Sequence, residues 1–386
     1  MQMHANWNYP TLIRFGAGRI TELAEACKSV GMQRPLLVTD PGVAKLSMIQ
    51  NALDLCKAEG LGIGLFSEIK ANPNEANVIA GAKAFREGDH DGVIAFGGGS
   101  AIDCAKVIAF QHAQPKPLWD YESAEGWWAG VDDSAFAPII AVPTTAGTGS
   151  EVGRAAVIVN ENTHEKKILF HQLMMPVMVI SDPELTVGLP PVLTAGVGLD
   201  AFAHSLEAYC APTFHPQSDG IALEGMRLVK EALGDAVKDG KDIVARSKML
   251  AAASMGAVAF QKGLGAIHSL SHPIGALYDT HHGMTNAVIM PYVLTFNRDA
   301  IAPKFERLAA YLGLVGGYDG VMKWVLDIRS QINVPHTLQA FGVDDAQVDT
   351  VAKMAAADPT AATNPLPLTV SDAERIFEAA YQGKLP

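Results

Sequence analysis

Residues 1–185 alternate short apolar runs, rich in β-branched side chains, with segments of helical periodicity. The apolar runs predict four strands, at 35–39, 92–96, 138–142 and 177–180. The segments between them have helical spacing of apolar residues and few breakers, at 20–31, 43–59 and 74–88. Nearly continuous apolar strands suit a parallel sheet covered on both faces. This alternation therefore predicts a doubly wound α/β domain.

Beyond Pro190-Pro191 the strand signals nearly vanish. Helical spacing of Ala, Leu and Met continues at 198–209, 218–235, 244–260 and 302–312. Because proline can start a helix but not continue one, the boundary is expected near residues 183–191. We predict an α/β domain over residues 1–186 and an all-α domain over residues 187–386.

Composition narrows the classes of function. With 49% hydrophobic and 18% charged residues the chain is globular, not disordered. Its net charge of −12 makes nucleic acid and anionic membranes poor partners. No uncharged apolar run reaches the roughly 18 residues of a membrane span, and residues 1–10 show no signal segment. The absence of CxxC spacing argues against a cysteine zinc site or a disulfide framework, so we expect a cytoplasmic protein.

A glycine run follows the second predicted strand and opens a helix. Gly97-Gly98-Gly99-Ser100 lets backbone amides approach an anion, and a helix N-terminus adds a favourable dipole. Ser100 is a candidate cap for that helix. The alternative is a simple tight turn.

A second loop supports a nucleotide site. Residues 144–150 alternate hydroxyls and glycines after the third predicted strand, at an edge where α/β folds bind ligands. Asp40, after the first strand, suits an adenosine ribose and would repel a 2′-phosphate, or else it forms the turn before Pro41-Gly42. The GxGxxG and P-loop patterns are absent, because Gly16-Ala17-Gly18 lacks the third glycine and no GxxxxGK[ST] occurs.

Histidines concentrate in the second half of the chain. Six of the twelve fall within a window of 79 residues. Asp200 and His204 are four residues apart in a helical pattern, His268 and His272 repeat that offset, and His282 follows. A carboxylate with imidazoles suits Fe²⁺ or Zn²⁺ better than Ca²⁺ or Mg²⁺. The alternative to a metal site is that these histidines are scattered over the surface or the core. If they do bind a metal, residue types alone do not distinguish alcohol oxidation from metal-assisted lyase chemistry.

Motifs along nearly the whole chain resemble the iron-containing (group III) alcohol dehydrogenase family. They occur at 97–106, 143–152, 182–186, 198–204 and 268–276, and the series closes with His282-Gly283. The resemblance implies a Rossmann-like N-terminal domain that binds a dinucleotide and an all-α C-terminal domain that binds metal. It also implies a dehydroquinate synthase-like architecture with the site in the cleft between the domains.

The resemblance also implies roles for individual residues. The metal ligands would be Asp200, His204, His268 and His282, and His272 would be a catalytic, non-ligand histidine beside the nicotinamide. The dinucleotide contacts would be Asp40, Asn72, Gly98, Gly99, Ser100, Thr144, Thr145, Thr148, Ser150, Lys167 and Leu185.

The implied activity is that of a metal-dependent NAD(H) alcohol dehydrogenase or aldehyde reductase. Its cofactors would be NAD and Fe²⁺, with Zn²⁺ as the alternative ion, and its partners a small alcohol or aldehyde and a second copy of the chain. Two alternatives resemble this architecture. A dehydroquinate synthase-like lyase would need a basic pocket, and few lysines or arginines lie near the ligand segments. Maleylacetate reductases lack this ligand set.

The sequence departs from the family pattern in two places. Gly153 stands where threonine or serine is common and is followed by Arg154, where short uncharged residues are usual. His281 replaces a common proline before the last ligand. A guanidinium at Arg154 would pair with a carboxylate, which favours a small ω-hydroxy acid or its semialdehyde. The alternative is that Arg154 pairs with Glu151 or another acidic side chain of the protein.

Overall fold

The computed structural model describes residues 11–121, 130–163 and 165–385. Two compact units account for them. The α/β unit comprises the described residues between 11 and 145 together with Gly149–Val187. The helical unit comprises residues 188–385 and the short segment Ala146–Thr148. The first ten residues and His164 lie outside the described part of the chain, so the prediction made for the N-terminus stays a prediction.

A six-stranded parallel sheet forms the centre of the α/β unit, and its order is β1-β8-β5-β4-β2-β3. The described strands are β1 (Leu12–Phe15), β2 (Pro35–Val38), β3 (Gly64–Phe66), β4 (Gly92–Gly97), β5 (Ile139–Pro143), β6 (Ala155–Asn160), β7 (Glu165–Phe170) and β8 (Met178–Ser181). The four predicted strands are β2, β4, β5 and β8, each confirmed to within one residue at either end. Strands β6 and β7 form a separate antiparallel hairpin.

Helices follow the strands as the doubly wound pattern requires. In this unit they are α1 (Leu23–Ser29), α2 (Ser47–Ala58), α3 (Glu75–Glu87) and α4 (Gly99–Gln111). Every residue of β2, β4, β5 and β8 is buried, because the sheet is covered on both faces. The predicted fold class is confirmed.

The strand order places the carboxyl ends of three strands side by side. Val38 of β2 pairs with Ala95 of β4, and Gly97 at the end of β4 pairs with Pro143 at the end of β5. The chain proceeds from β2 to β3 in one direction and from β4 through β5 to β8 in the other. The order thus reverses between β2 and β4, and such a reversal is where open α/β sheets bind ligands.

The helical unit contains no strand in its described residues. Its helices are α5 (Pro191–Cys210), α6 (Pro216–Lys238), α7 (Ile243–Ala259), α8 (Ala266–Tyr278), α9 (His282–Phe296), α10 (Arg298–Leu312), α11 (Gly317–Gln331), α12 (Val348–Ala357) and α13 (Val370–Gln382). Helix α5 begins at Pro191, as the proline rule predicts. One described stretch, Ile243–Lys262, is long and apolar enough to cross a membrane by length and composition, and 56% of its apolar window is buried within the protein.

Candidate metal centre and cofactor loops

Helix α5 carries three buried acidic or imidazole side chains on one face. Asp200, His204 and Glu207 are spaced by four and three residues, so they form one stripe along the helix. All three are at least nine-tenths buried, in a helix whose other buried residues are mostly apolar. Buried ionisable groups require partners, and these three find them on helices α8 and α9.

Three imidazole nitrogens converge on one oxygen of Asp200. The Nε2 atoms of His204 and His268 lie 3.7 Å from Asp200 Oδ1, and Nε2 of His282 lies 3.6 Å from the same atom. The ligand atoms of Asp200, His204 and His268 all lie within 4.8 Å of one another. His282 is the most exposed member of the set, with 31% of its side chain accessible.

These distances fit a metal ion better than they fit hydrogen bonds. A distance of 3.6–3.7 Å is too long for an N–H···O bond. Two donors on a tetrahedral ion, each with a bond of about 2.1 Å, stand roughly 3.4 Å apart. The donor set, one carboxylate oxygen and imidazole nitrogens, is one that Fe²⁺ and Zn²⁺ accept.

The electrostatics of the cluster also favour a cation. Burial lowers the pKa of His204 to about 4, so this imidazole is neutral and able to coordinate. Burial also opposes ionisation of Asp200, but the surrounding imidazoles outweigh it and hold its pKa well below the usual range. Burial would lower the pKa of His268 as well, yet the carboxylates of Asp200 and Glu207 raise it to about 9. A divalent ion competes with that proton for the same nitrogen.

Asn286, one turn after His282 on α9, lies in the middle of the cluster. Its Nδ2 donates to Asp200 Oδ1 at 2.8 Å and lies 3.2 Å from Nε2 of both His268 and His282. Asn286 was not predicted from the sequence, although its spacing of four residues from His282 places both side chains on one helix face.

Helices α5 and α9 approach closely enough to bring His282 to Asp200 because glycines line their crossing. A Cβ at Gly283 would lie 2.4 Å from the carbonyl oxygen of Gly196 and 2.9 Å from Cβ of Asp200. His281, at the position where proline is common, is the N-cap of α9, and its Nδ1 accepts the backbone N–H of Met284 at 3.2 Å. The histidine at 281 therefore starts the helix that presents His282.

Replacing Gly283 by alanine is expected to force α5 and α9 apart, to destabilise the protein by about 1–3 kcal/mol and to weaken metal retention. Urea unfolding and elemental analysis measure the two effects. Gly220→Ala on α6 is the matched control, because a Cβ there meets nothing within 4 Å. A Gly283→Ala protein as stable and as metal-rich as the control would show that the close crossing is unimportant.

His272 lies one turn after His268 on α8 and has an acidic partner. Its Nδ1 donates to Asp358 Oδ2 at 2.8 Å, while Asp358 Oδ1 accepts the backbone N–H of Thr360 at 2.8 Å. Burial opposes ionisation of Asp358, but the bond from His272 outweighs it, and the pKa of Asp358 lies below its usual range. The imidazole of His272 also stacks on that of His282 at 5.5 Å between ring centroids.

In the α/β unit, the glycine run forms the predicted junction of strand and helix. Gly97 has a φ of 151°, and a Cβ on it would lie 2.8 Å from Cβ of Ala101, so the position requires glycine. A Cβ on Gly98 would come within 3.3 Å of Thr145, which shows that the two predicted nucleotide loops touch. The prediction that Ser100 caps the helix is wrong, because α4 begins at Gly99 with Gly98 as its N-cap and no side chain caps it.

Asp40 forms the turn after β2 through one of its two carboxylate oxygens. Its Oδ1 accepts the backbone N–H groups of Gly42 at 2.8 Å and Val43 at 3.0 Å. Its Oδ2 lies toward the glycine run, 3.8 Å from where a Cβ of Gly97 would stand. Asp40 therefore has the turn-forming role, and the ribose contact through its second oxygen stays a prediction.

Ser150, a predicted dinucleotide contact, belongs to a buried network. Its hydroxyl accepts from Lys106 Nζ at 2.7 Å and donates to Asp103, whose other oxygen accepts the backbone N–H of Val157 at 2.9 Å. Burial lowers the pKa of Lys106 to about 8 against the attraction of Asp103 and Glu151. The hydroxyl proton of Ser150 is thus donated to Asp103, and a contact of Ser150 with a dinucleotide stays a prediction.

The other predicted dinucleotide contacts are distributed over several elements. Ser100 is exposed in the first turn of α4, Thr144 is buried after β5, and Leu185 is buried beyond β8. Asn72 precedes α3, and Lys167 lies on β7 opposite Ile158. Thr148 falls within the segment that groups with the helical unit. Their roles toward a dinucleotide stay predictions.

Arg154, between Gly153 and β6, has no acidic partner among the described residues. Its guanidinium lies over the ring of Phe170, 5.0 Å from the ring centroid, and burial lowers its pKa. Glu151 is itself buried, which raises its pKa to about 7. The expected alternative, an Arg154–Glu151 ion pair, is therefore not formed.

A parallel sheet with nucleotide-type loops and a helical unit with a carboxylate–imidazole cluster suit an enzyme that uses a nucleotide and a metal ion. Models of two families match the two parts of the chain. "Iron-containing alcohol dehydrogenase" matches residues 10–183, and "Fe-containing alcohol dehydrogenase family, C-terminal" matches residues 194–381. The chain belongs to the iron-containing alcohol dehydrogenase family, which confirms the resemblance and the oxidoreductase class.

Individual relatives of known name match this chain over nearly its full length. The 4-hydroxybutyrate dehydrogenase of Cupriavidus necator is 42% identical over 380 residues, which is 96% of this chain and 98% of that protein. A crystal structure of 1,3-propanediol oxidoreductase has a TM-score of 0.93 at 32% identity and covers 98% of this chain and 100% of its own.

A further solved structure contains a dinucleotide. Sulfoacetaldehyde reductase from Bifidobacterium kashiwanohense in complex with NAD⁺ has a TM-score of 0.90 at 26% identity, and covers 98% of this chain and 99% of its own. Taken together, these matches do not favour the lyase or the maleylacetate reductase alternative.

Proposed function

We propose that this alcohol oxidoreductase is an NAD-dependent dehydrogenase of a small ω-hydroxy acid, such as 4-hydroxybutyrate, and in reverse a reductase of the semialdehyde. The observation that carries the substrate class is the guanidinium of Arg154, which lies on an aromatic ring and is not neutralised by a described carboxylate. The relative at 42% identity, a 4-hydroxybutyrate dehydrogenase, supports the same class.

Asp200, His204, His268 and His282 would hold the divalent ion, which we propose is Fe²⁺, with Zn²⁺ as the alternative that the same donors accept. When bound, the ion supplies a Lewis acid for the alcohol or aldehyde oxygen. Asn286 orients Asp200 through the 2.8 Å bond to its Oδ1. Burial of Asp200, His204 and His268 keeps water from competing for these donors.

His272 would act as the proton-transfer residue. Because its Nδ1 donates to Asp358, the nitrogen left to accept a proton is Nε2. Asp358 is fixed in turn by the backbone N–H of Thr360, so the imidazole has a defined orientation. The carboxylate also stabilises the imidazolium that forms when His272 takes up the proton.

The loops at the carboxyl ends of β2, β4 and β5 would bind the dinucleotide. Backbone N–H groups at the start of α4 suit its phosphates, because Gly97 and Gly98 allow close approach. Asp40 would accept from the ribose hydroxyls through the oxygen not used in the turn. We further propose that the enzyme is a homodimer and that it is located in the cytoplasm.

Arg154→Met tests the proposed substrate. With wild-type protein and NAD, we expect a higher kcat/KM for 4-hydroxybutyrate than for 1-butanol, because a guanidinium pairs with the carboxylate of the acid. Arg154→Met is expected to lower the value for the acid about tenfold and to leave that for 1-butanol unchanged, since a charge-assisted hydrogen bond contributes about 1.5 kcal/mol or more. NADH absorbance measures both rates.

Lys83→Met, at an exposed cation on α3 of the same unit, controls for a loss of positive charge. Arg154→Lys keeps the charge but not the planar fork and should recover only part of the preference. A wild-type enzyme that prefers 1-butanol would contradict the substrate assignment and leave a general short-chain alcohol dehydrogenase.

A further inference from the structure

Glu207 is a buried carboxylate that the proposed mechanism does not use. It follows His204 by three residues on α5, and it is 6% exposed. Its only ion pair with a described residue is with a histidine, His268. A carboxylate so far from water is costly unless each oxygen accepts hydrogen bonds from fixed donors.

Both oxygens of Glu207 bond to the start of α8. Oε1 accepts the backbone N–H of Ile267 at 2.7 Å, and Oε2 accepts the Nδ1–H of His268 at 2.6 Å. The two donors belong to consecutive residues. The carboxylate of Glu207 therefore fixes both the backbone at Ile267 and the imidazole of His268. The opposite nitrogen of the same ring, Nε2, is the one that faces Asp200.

We propose that Glu207 is a positioning residue that fixes His268 in the tautomer and ring orientation required of a metal ligand. This inference rests on the proposed metal centre. With Nδ1 committed to Glu207, Nε2 is the nitrogen available for an ion, and the ring cannot turn about its Cβ–Cγ bond without losing a charge-assisted bond. Helix α5 therefore supplies two ligands directly and orients a third through Glu207.

Two substitutions separate shape from charge. Glu207→Gln keeps the shape, but its amide nitrogen cannot accept, so one of the two donors loses its partner. Glu207→Asp keeps the charge, but the shorter side chain cannot reach both donors. Each variant is expected to lose its ion to excess chelator about tenfold faster than wild type. Loading with Co²⁺ gives a second readout, because a changed imidazole orientation alters the visible absorption of the bound ion.

Two control variants distinguish orientation of His268 from general loosening of the protein. Asn364 accepts the backbone N–H of Ala266 at 3.0 Å, so Asn364→Ala disturbs the same end of α8 without touching His268. Glu378→Gln, on the exposed face of α13, repeats the chemical change far from the ligands in sequence. Both are expected to release metal at nearly the wild-type rate once circular dichroism confirms that they are folded.

The outcomes are distinct. Fast metal release and an altered Co²⁺ spectrum in both Glu207 variants, but not in the controls, would support the positioning role. Wild-type release rates in folded Glu207→Gln and Glu207→Asp, or equally fast release in Asn364→Ala, would overturn it while leaving the metal centre intact. If Glu207→Gln does not fold, Glu207→Asp decides. A wild-type protein that binds neither Fe²⁺, Zn²⁺ nor Co²⁺ would instead overturn the proposed function.

Discussion

His268→Ala is expected to abolish tight metal binding and to lower kcat/KM for alcohol oxidation by about a thousandfold. His268 is buried, and its Nε2 shares the approach to Asp200 Oδ1 with His204 and His282. His268 is one of the three described residues, with Asp200 and His204, whose ligand atoms lie within 4.8 Å of one another, so its loss removes a central donor. A Lewis acid contributes several kcal/mol to the stabilisation of a developing alkoxide, which corresponds to about three powers of ten in rate.

The same experiment at His282 should give a graded result. His282 is the most exposed of the four proposed ligands, so water can take its place, and we expect His282→Ala to keep some metal at saturating concentrations. His336→Ala, at an exposed histidine outside the cluster, is the control. Elemental analysis after gel filtration decides the outcome. Full metal occupancy in His282→Ala would show that His282 is not a ligand. Full metal occupancy in His268→Ala would contradict the proposed metal centre as a whole.

The fold was largely predictable because its strands are apolar throughout. Runs such as Gly92–Gly97 are buried on both faces, and such runs stand out in a sequence. Strand β3 has only three residues, and the β6–β7 hairpin mixes buried with half-exposed positions, so neither gave a clear signal. The helix expected at 20–31 begins instead as a short 3-10 helix at Arg19–Glu22, before α1. The periodicity of apolar residues does not distinguish a 3-10 helix from an α-helix over so short a segment.

The residues of the candidate metal site could be predicted to lie together from the sequence, and the side chains that orient them could not. A spacing of four residues places Asp200 and His204 on one helix face, and this needs no tertiary information. His268 donates to Glu207 and His272 donates to Asp358. These residues lie 61 and 86 positions apart in the sequence, so no local pattern predicts the bonds. The bonds of Ser150 to Lys106 and Asp103 were likewise not predicted, because these partners lie 44 and 47 positions away in the sequence.

Asp40→Asn is expected to lower the preference for NAD over NADP by about a hundredfold in the ratio of kcat/KM values. A 2′-phosphate beside the free oxygen of Asp40 would meet a like charge, and two such charges 4 Å apart repel by about 4 kcal/mol near a protein surface. Asparagine keeps an oxygen for the N–H groups of Gly42 and Val43, so the turn survives while the charge is lost. Rates of NADH and NADPH formation measure the ratio.

Comparison with Asp40→Gly separates the two roles that this side chain combines. Glycine removes the charge and the turn bonds together, so we expect the same loss of discrimination with weaker binding of both dinucleotides. Asp54→Asn, at an exposed carboxylate on α2, controls for the change in net charge and should leave the ratio at its wild-type value. If only Asp40→Gly shifts the ratio, the turn and not the charge selects the cofactor. If the wild type already uses NADP as efficiently as NAD, the carboxylate does not discriminate, because the repulsion on which the selection depends would be absent.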